Sequence, residues 1–332
     1  MFILFFLLFF VFGEQAIKDF HSNGSAICIY NGPGASDVQD YVKIFRETFE
    51  NTTNVELVNA TFIAASMLHL CKLFVMPGGA DTPYWEALNG SPNNNLRDYI
   101  AQGGRYLGIC AGAYYGAQEL LYDENHPDEI RAERLNLFPG ISRGPVLKQF
   151  IPGPQGIISA KILLSEKWRK YLQKDFFQGN EKHLFSQLYY HGGPAFVKEI
   201  RNSIQQNFTT LAYYLKQLGE NWYLVTAEKK LPAIVCGNYG NGHVCLSGLH
   251  LENKLFDNLT ANVSRQKLLE SLLQDFLHLQ LPKTQNVKVV IIPCLIGGGA
   301  VCLALIFCKS SKRTSSEKPL LSQEGEILKY GS

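Results

Sequence analysis

Short apolar stretches alternate with helix-type patterns along most of this sequence, and that alternation constrains the fold more than any other feature. Residues 26–30 read AICIY and end in the glycine-rich turn NGPGAS, after which a helix is predicted to begin near Asp37. The apolar face of that helix consists of Val38, Tyr41, Val42 and Phe45. Further apolar runs of strand length occupy 73–76 and 105–109. Because strands that alternate with helices form parallel sheets, the sequence predicts an α/β domain over 25–281, with a mainly parallel sheet and helices on both faces.

The N-terminal end of the chain is an uncharged apolar run. Residues 1–12 read MFILFFLLFFVF, and a small glycine follows at position 13. This layout is typical of a cleaved secretory signal peptide, so we predict that residues 1–13 are removed. The alternative is a membrane anchor or a buried strand, although the run is short for a membrane span.

A second uncharged run lies near the C-terminal end, over residues 289–308. As a helix with a rise of ~1.5 Å per residue, it is long enough to cross the bilayer core. The alternative is a buried core helix. The basic sequence KSSKR follows the run and places the tail, residues 309–332, in the cytoplasm. The chain is therefore predicted to be a single-pass type I membrane protein whose main domain faces the lumen or the exterior, at the cell surface or in the endolysosomal system.

Seven N-x-S/T sequons precede the predicted membrane segment and agree with this topology. They are Asn23, Asn51, Asn59, Asn89, Asn207, Asn258 and Asn262. The formal net charge of only +2, without a basic block before the tail, argues against a nucleic-acid partner. No metal or cofactor is predicted.

The cysteines divide between the predicted membrane segment, which contains three, and the predicted lumenal part, which contains five. Cys236 and Cys245 flank GNYGNGH, a hairpin-type turn, so a cross-strand disulfide is plausible. Cys28 and Cys71 lie on strand-like runs and are candidates for a second disulfide in an oxidising compartment. Such pairing leaves Cys110 as a free thiol. The alternative is that these cysteines are buried and unpaired.

Cys110 stands between an apolar strand and a helix-type segment in YLGICAGAYYGAQEL. Gly108 and Gly112 lie two residues to either side, and such small neighbours are what a sharp strand-to-helix turn requires. A cysteine on this turn, a nucleophile elbow, presents its sulfur at a helix N-terminus, which favours the thiolate. The sequence therefore indicates a cysteine nucleophile, with a glycine-flanked core cysteine as the alternative.

Several further segments, together with this elbow, resemble the N-terminal domain of large biotin-protein ligases, which is itself similar to class I glutamine amidotransferases of flavodoxin-like fold. In chain order these segments are MPGGADTPYWEALNG, LRDYIAQGGRYLGICAGAYYGA, LFPGISRGP, YYHGGPAF and VCLSGLHLE. The resemblance covers roughly residues 25–280. No glycine- and arginine-rich biotinyl-adenylate motif is present in the sequence, so biotin ligation is not expected.

The resemblance implies a catalytic role for His250 and Glu252, which match the histidine and glutamate that follow a late strand in amidotransferases. A cysteine nucleophile needs a base, and the base needs an acceptor that fixes its tautomer, so Cys110, His250 and Glu252 have the required chemical types. Residues two apart on an extended chain lie on the same side. Taken without the resemblance, His250 is more simply a core or surface histidine than a catalytic one.

The resemblance also implies an oxyanion hole made by the backbone amides of Gly78, Gly79 and Ala111. The alternative for the two glycines is an ordinary tight turn. His191, in YYHGGP, is a rival base, and Arg143, in SRGP, is a candidate substrate-binding side chain.

Two positions depart from the amidotransferase pattern. Ala113-Tyr114 stands where glutamine is usual near the elbow, and Leu251 replaces the usual proline. These departures do not support glutamine as the specific substrate. Because no synthase domain is fused to receive ammonia, hydrolysis is the more natural expectation.

Three functional hypotheses follow from the sequence. The first is a membrane-anchored thiol hydrolase or amidase that uses Cys110, His250 and Glu252 on a small amide or γ-glutamyl-type substrate. The second is a catalytically inactive amidotransferase-like ectodomain that binds a ligand or a protein. The third is a redox or glyoxal-handling thiol protein, which the His-x-Glu pair makes less favoured.

Overall fold

The computed structural model of the chain describes residues 24–122, 130–147, 158–176, 185–197, 207–215, 230–254, 259–282, 288–296 and 299–307. The predicted signal peptide and the predicted cytoplasmic tail lie outside these residues. The chain divides into two compact units, Met1–Pro282 and Lys283–Ser332.

The first unit contains thirteen strands and seven α-helices within the described residues. The strands are β1 Ala26–Tyr30, β2 Val55–Val58, β3 Cys71–Met76, β4 Arg105–Ile109, β5 Ala117–Tyr122, β6 Ile130–Glu133, β7 Phe138–Gly144, β8 Ile158–Leu164, β9 Phe185–Tyr190, β10 Ala195–Val197, β11 Thr209–Leu215, β12 Lys230–Tyr239 and β13 Gly242–Ser247. The helices are α1 Val38–Thr48, α2 Ala60–Ala64, α3 Asp81–Leu88, α4 Ser91–Ala101, α5 Ala111–Gly116, α6 Glu166–Phe176 and α7 Leu259–Ser271. A 3₁₀ turn, Met67–Leu70, precedes β3, and a π-helical turn, Leu272–Phe276, extends α7.

Nine of these strands form one large mixed sheet, in the order β2-β1-β3-β4-β13-β12-β11-β8-β9. The pairings from β2 to β13 are parallel, and those from β13 to β9 are antiparallel. The prediction of a mainly parallel sheet is therefore corrected, since only half of the sheet is parallel. The physical reason is that β12 and β13 are joined by a tight turn at Gly240, with φ 59°, and a hairpin of this kind makes its strands antiparallel.

The two faces of the sheet carry separate hydrophobic cores. Along β1, Ile27 and Ile29 belong to one core, whereas Cys28 and Tyr30 belong to the other. Such alternation is what a strand buried on both sides produces. The first core includes the apolar faces of α1, α6 and α7, and the second includes those of α3, α4 and α5, so helices cover both faces.

A smaller sheet of four strands, in the order β10-β7-β5-β6, follows the turn at Cys110. Its strand β5 begins directly after α5, so the helix that starts at Cys110 is held between the two sheets. Tyr114 on that helix accepts a hydrogen bond from Ser142 Oγ on β7 at its carbonyl oxygen, and its hydroxyl donates to the Gly192 carbonyl.

The second unit corrects another prediction. Residues expected to form a membrane helix over 289–308 instead form two antiparallel strands, β14 Lys288–Ile296 and β15 Gly299–Phe307. No helix in the described part of the chain is long and apolar enough to span a membrane. The sequence offers a reason: four consecutive β-branched residues over 289–292 and a proline at 293 disfavour a helix.

Candidate active site

Cys110 lies at the turn between β4 and α5, with φ 51° and ψ −109°, a backbone conformation that L-amino acids rarely adopt. Two glycines make this turn possible. A Cβ atom on Gly108 would lie 2.4 Å from the Gly112 carbonyl oxygen, and one on Gly112 would lie 2.1 Å from that of Met76. The amide of Cys110 donates to the carbonyl oxygen of Ser247, at 2.8 Å, on the neighbouring strand β13. The structure therefore has a sharp strand-to-helix turn with the cysteine at its apex.

His250 and Glu252 follow β13, which is parallel to β4 and pairs Ser247 with Ile109. Because the carboxyl ends of parallel strands meet at the same edge, the chain after β13 arrives beside Cys110. The Nδ1–H of His250 donates to Glu252 Oε1 at 2.6 Å. Both side chains are buried, His250 with 5% and Glu252 with 6% of its surface exposed. His250 and Glu252 are thus in direct contact just after the end of β13.

The charge of His250 reflects its neighbours. Burial alone lowers the pKa of this imidazole, but the carboxylate of Glu252 and the thiol of Cys110 outweigh burial, so the pKa lies well above its usual value. The other ring nitrogen, Nε2, is buried and has no hydrogen-bond partner among the described residues. Since Nδ1 is bonded to Glu252, Nε2 is the ring nitrogen that remains available.

Gly78 and Gly79 follow β3, as predicted, but their amides differ. The Gly78 N–H donates to the hydroxyl oxygen of Tyr41 at 2.8 Å, so it is already bonded within the protein. Gly79 adopts φ 134°, and a Cβ atom there would lie 1.9 Å from the Gly34 carbonyl oxygen. No hydrogen bond from the Gly79 or Ala111 amide occurs within the described residues. Of the three predicted oxyanion donors, Gly79 and Ala111 are therefore the two whose amides remain available.

His191 lies close to Cys110 through its backbone. Its carbonyl oxygen accepts a hydrogen bond from Cys110 Sγ at 3.4 Å, and its ring centroid is 6.3 Å from that of His250. His191, the alternative candidate base, therefore lies next to His250. Arg143 lies on β7 opposite Ala195. Because Ser142 and Gly144 approach Tyr114 and strand side chains alternate, the Arg143 side chain leaves the strand on the opposite face from Tyr114.

Three residues near the site were not identified from sequence. Tyr41, buried on α1, bonds to Gly78 and lies against Glu252, whose charge adds to burial in raising the pKa of the phenol well above its usual value. Tyr41 was recognised only as part of an apolar helix face. Its position on that face, with a hydroxyl that burial obliges to find a partner, is the one signal that could have pointed to it.

The other two hold the segment that carries His250 and Glu252. Tyr189 packs edge-on against the His250 ring, and its carbonyl oxygen accepts from the His250 amide at 2.9 Å. Burial, with the nearby Asp37 and Glu252 carboxylates, raises the pKa of Tyr189 to about 12. Arg265, a buried residue of α7, donates through Nη1 to the carbonyl oxygens of Leu251 at 2.6 Å and Glu252 at 3.2 Å. No local sequence pattern links these residues to the site.

The remaining predicted residues fall outside the site. Cys28 pairs with Cys71 and Cys236 with Cys245, and Cys110 is the free cysteine among the described side chains. Four sequon asparagines are exposed, namely Asn51, Asn59, Asn89 and Asn207. Asn23 and Asn258 lie outside the described residues, as does the side chain of Asn262. In the described part of the chain, no three candidate metal ligands come together.

Fold and site together define a class: a mixed α/β domain with a free cysteine on a strained strand-to-helix turn, next to a buried His–Glu pair. Residues 25–298 match the biotin-protein ligase N-terminal family, and the chain belongs to that family. The resemblance noted from sequence is thereby confirmed.

Two relatives are similar over part of their length. A biotin–protein ligase of Schizosaccharomyces pombe is 28% identical over 239 residues, which are 68% of this chain and 33% of the ligase. An uncharacterized protein of Chlamydia muridarum is 31% identical over 152 residues, 43% of this chain and 59% of that protein. The chain thus matches about a third and about three fifths of the lengths of these two relatives.

Solved structures resemble the chain more distantly. A putative ThuA-like protein from Bacteroides uniformis has a TM-score of 0.45 at 12% identity and covers 76% of this chain and 91% of its own. A putative GMP synthase component from Thermoplasma acidophilum has a TM-score of 0.40 at 12% identity, over 75% of this chain and 96% of its own.

Proposed function

We propose that this domain is a cysteine-dependent amidase or hydrolase in which Cys110 is the nucleophile, His250 the base and Glu252 the residue that orients the base. The observation that carries the proposal is the 2.6 Å contact between His250 Nδ1 and Glu252 Oε1 beside the free cysteine of a strained turn. A carboxylate that accepts from Nδ1–H keeps the proton on that nitrogen, and Nε2 then has the free lone pair that a general base next to a thiol requires.

The reaction on an amide proceeds in two halves. In the first, the Cys110 sulfur, its proton held by His250, attacks the carbonyl carbon, and the negative charge that develops on oxygen is stabilised by the Gly79 and Ala111 amides. The C–N bond then breaks, the amine leaves with the proton from His250, and a thioester remains. In the second half, His250 takes a proton from water and the hydroxide attacks the thioester carbonyl carbon. The C–S bond breaks, the carboxylic acid leaves, and the Cys110 sulfur is restored with its proton again on His250.

The raised pKa of His250 supports the first half of this reaction. A raised pKa favours the protonated imidazole, which holds the proton that the leaving amine needs. Cys110 has only 6% of its surface exposed, so the substrate is proposed to be small, of the simple amide or γ-glutamyl type.

The second candidate is an inactive ectodomain that binds a ligand or a protein. One observation favours it: the thiol of Cys110 donates to the His191 carbonyl oxygen, and the Gly78 amide is bonded to Tyr41. A substrate therefore has to displace the first of these contacts before reaction. The two candidates differ in whether a covalent intermediate ever forms on Cys110.

We propose a secretory location for the domain. Two disulfides within the described residues support an oxidising compartment, because cytosolic proteins rarely keep such bonds. The exposed sequon asparagines agree with it.

Trapping of the thioester tests the enzymatic proposal. The full-length chain is incubated with a panel of simple amides and γ-glutamyl amides, quenched in acid and analysed by intact mass, with Cys110→Ser as the matched control. The proposal expects an acyl adduct that hydroxylamine removes and that Cys110→Ser lacks. A panel that yields neither an adduct nor released amine, from a protein whose Cys110 remains accessible to iodoacetamide, supports the binding candidate instead.

A further inference from the structure

Tyr41 occupies a position that the proposed reaction does not explain. The residue is almost fully buried, with 1% of its surface exposed, and a buried phenol hydroxyl costs free energy unless it is hydrogen-bonded. Its oxygen accepts the Gly78 N–H at 2.8 Å. Because the amide is the donor in this bond, the proton of the phenol remains available for a different acceptor.

The carboxylate of Glu252 is the acceptor that the surroundings provide. Its Oε1 accepts the His250 Nδ1–H, whereas Oε2 is buried and has no hydrogen-bond partner within the described residues. Glu252 is the charged group that, after burial, most opposes ionisation of Tyr41, which places the phenol and the carboxylate close together. Tyr41 therefore keeps its proton and presents it towards Glu252.

Gly78 stands between the two parts of the site. Its amide donates to Tyr41, whose phenol lies close to the Glu252 carboxylate, and Glu252 accepts from His250. A Cβ atom on Gly78 would lie 2.9 Å from His250 Cε1 and 3.5 Å from Cys110 Cβ. One tyrosine from α1 thus joins the loop after β3 to the strand end after β13. These two segments carry the proposed oxyanion donors and the proposed base.

We propose that Tyr41 is a positioning residue for the Cys110–His250–Glu252 group, which it serves by anchoring the Glu252 carboxylate and fixing the Gly78 peptide. The inference rests on the proposed function. It assigns the oxyanion contacts to Gly79 and Ala111, since Tyr41 retains the Gly78 amide. A buried carboxylate that loses a hydrogen-bond donor is a weaker anionic partner, so removal of the hydroxyl is expected to weaken the hold of Glu252 on the imidazolium.

Tyr41→Phe in the full-length chain tests this role, with Tyr99→Phe as the matched control. Tyr99 is also a buried tyrosine whose hydroxyl accepts a backbone amide, Arg105 N at 3.2 Å, and donates to a second group, the Cys71 carbonyl oxygen at 3.0 Å, but it lies away from the site. The measurement is hydrogen–deuterium exchange at the imidazole C2 position, followed by mass spectrometry, which gives the pH midpoint of His250 itself. Reaction of Cys110 with iodoacetamide is followed in the same samples.

In Tyr41→Phe we expect the His250 midpoint to fall towards that of an ordinary histidine and the Cys110 reaction at neutral pH to slow about tenfold, the size of one hydrogen bond to a charged group. Tyr99→Phe should change neither quantity. An unchanged midpoint in Tyr41→Phe, or an equal change in both variants, overturns the inference. Failure to trap a thioester refutes the proposed function but leaves the midpoint measurable, so the two failures are distinguishable.

Discussion

Gly78 shows at the scale of one residue how closely the candidate site is packed. An added methyl group would lie 2.9 Å from His250 Cε1, closer than real side-chain contacts allow, so Gly78→Ala has to push the imidazole away from Cys110. We expect the reaction of Cys110 with a substrate-like electrophile to slow by roughly 100-fold, as small displacements of catalytic groups do. The measurement is the rate of adduct formation, located on Cys110 by mass spectrometry.

Gly90→Ala is the control for this substitution. An added methyl group at Gly90 meets nothing within 4 Å, but φ 85° strains an alanine there. It should cost about 1 kcal/mol of stability without slowing the reaction of Cys110. If Gly90→Ala slows the reaction as much as Gly78→Ala does, the effect is one of stability and the close approach to His250 is irrelevant.

Glu252→Gln tests the electrostatics of the pair through stability. The folded-state pKa of His250 is raised, so this histidine stabilises the fold most below its unfolded pKa of about 6.5, and the contribution is lost as pH rises through the folded value. Glutamine keeps the shape and removes the charge. Urea unfolding at about pH 6 and about pH 9 should therefore show a smaller loss of stability with pH in the variant. The same loss in both proteins would exclude the carboxylate as the cause.

The residues of the site differ in how far sequence could predict them. Cys110, His250 and Glu252 sit in short motifs whose spacing carries their geometry, and the structure brings His250 and Glu252 into contact. The hydrogen bond made by the Gly78 amide could not be predicted from sequence. Its partner is a tyrosine 37 residues earlier, and helical periodicity says only that this tyrosine faces inward, not what its hydroxyl contacts.

At the scale of secondary structure, the strand–helix units that build the parallel half of the sheet were predictable. The motifs at β1, β3 and β4 predict both the strands and the turns that follow them. The antiparallel half of the sheet was not predictable from sequence. Its strands β8, β9 and β11 are separated by long stretches of chain, and no local pattern encodes the register in which they pair. For residues 289–308, hydropathy predicts a helix, whereas the described residues of this segment form two strands, as their β-branched side chains favour.

The two disulfides should differ in their contribution to stability. Cys28–Cys71 closes a separation of 43 residues and links β1 to β3, whereas Cys236–Cys245 closes only nine within one hairpin. In the chain-entropy description these loops correspond to about 4 and about 3 kcal/mol. Paired alanine substitutions, compared by urea unfolding, should destabilise more for Cys28 and Cys71. The opposite order would mean that strain or residual structure outweighs loop length.

For the molecule as a whole, passage through the secretory pathway predicts glycosylation of the exposed sequons. Asn59 Oδ1 accepts the Phe62 amide at 3.1 Å, and its Nδ2 remains the atom that a glycan would occupy. When the full chain is expressed in cells that direct it through the secretory pathway, enzymatic removal of N-glycans with a peptide-N-glycosidase should lower its apparent mass. Substitution of Asn51, Asn59, Asn89 and Asn207 by glutamine should remove most of this decrease in apparent mass. No shift in the unaltered chain would contradict the secretory location.

The central claim is that Cys110 is a nucleophile whose reactivity depends on His250. The most direct test treats the full-length chain with a glutamine-analogue electrophile, such as a diazo-ketone, and locates the adduct by mass spectrometry in the unaltered protein and in His250→Ala. The account predicts an adduct on Cys110 that is lost in His250→Ala. No adduct, or an adduct that forms at the same rate without His250, would contradict it.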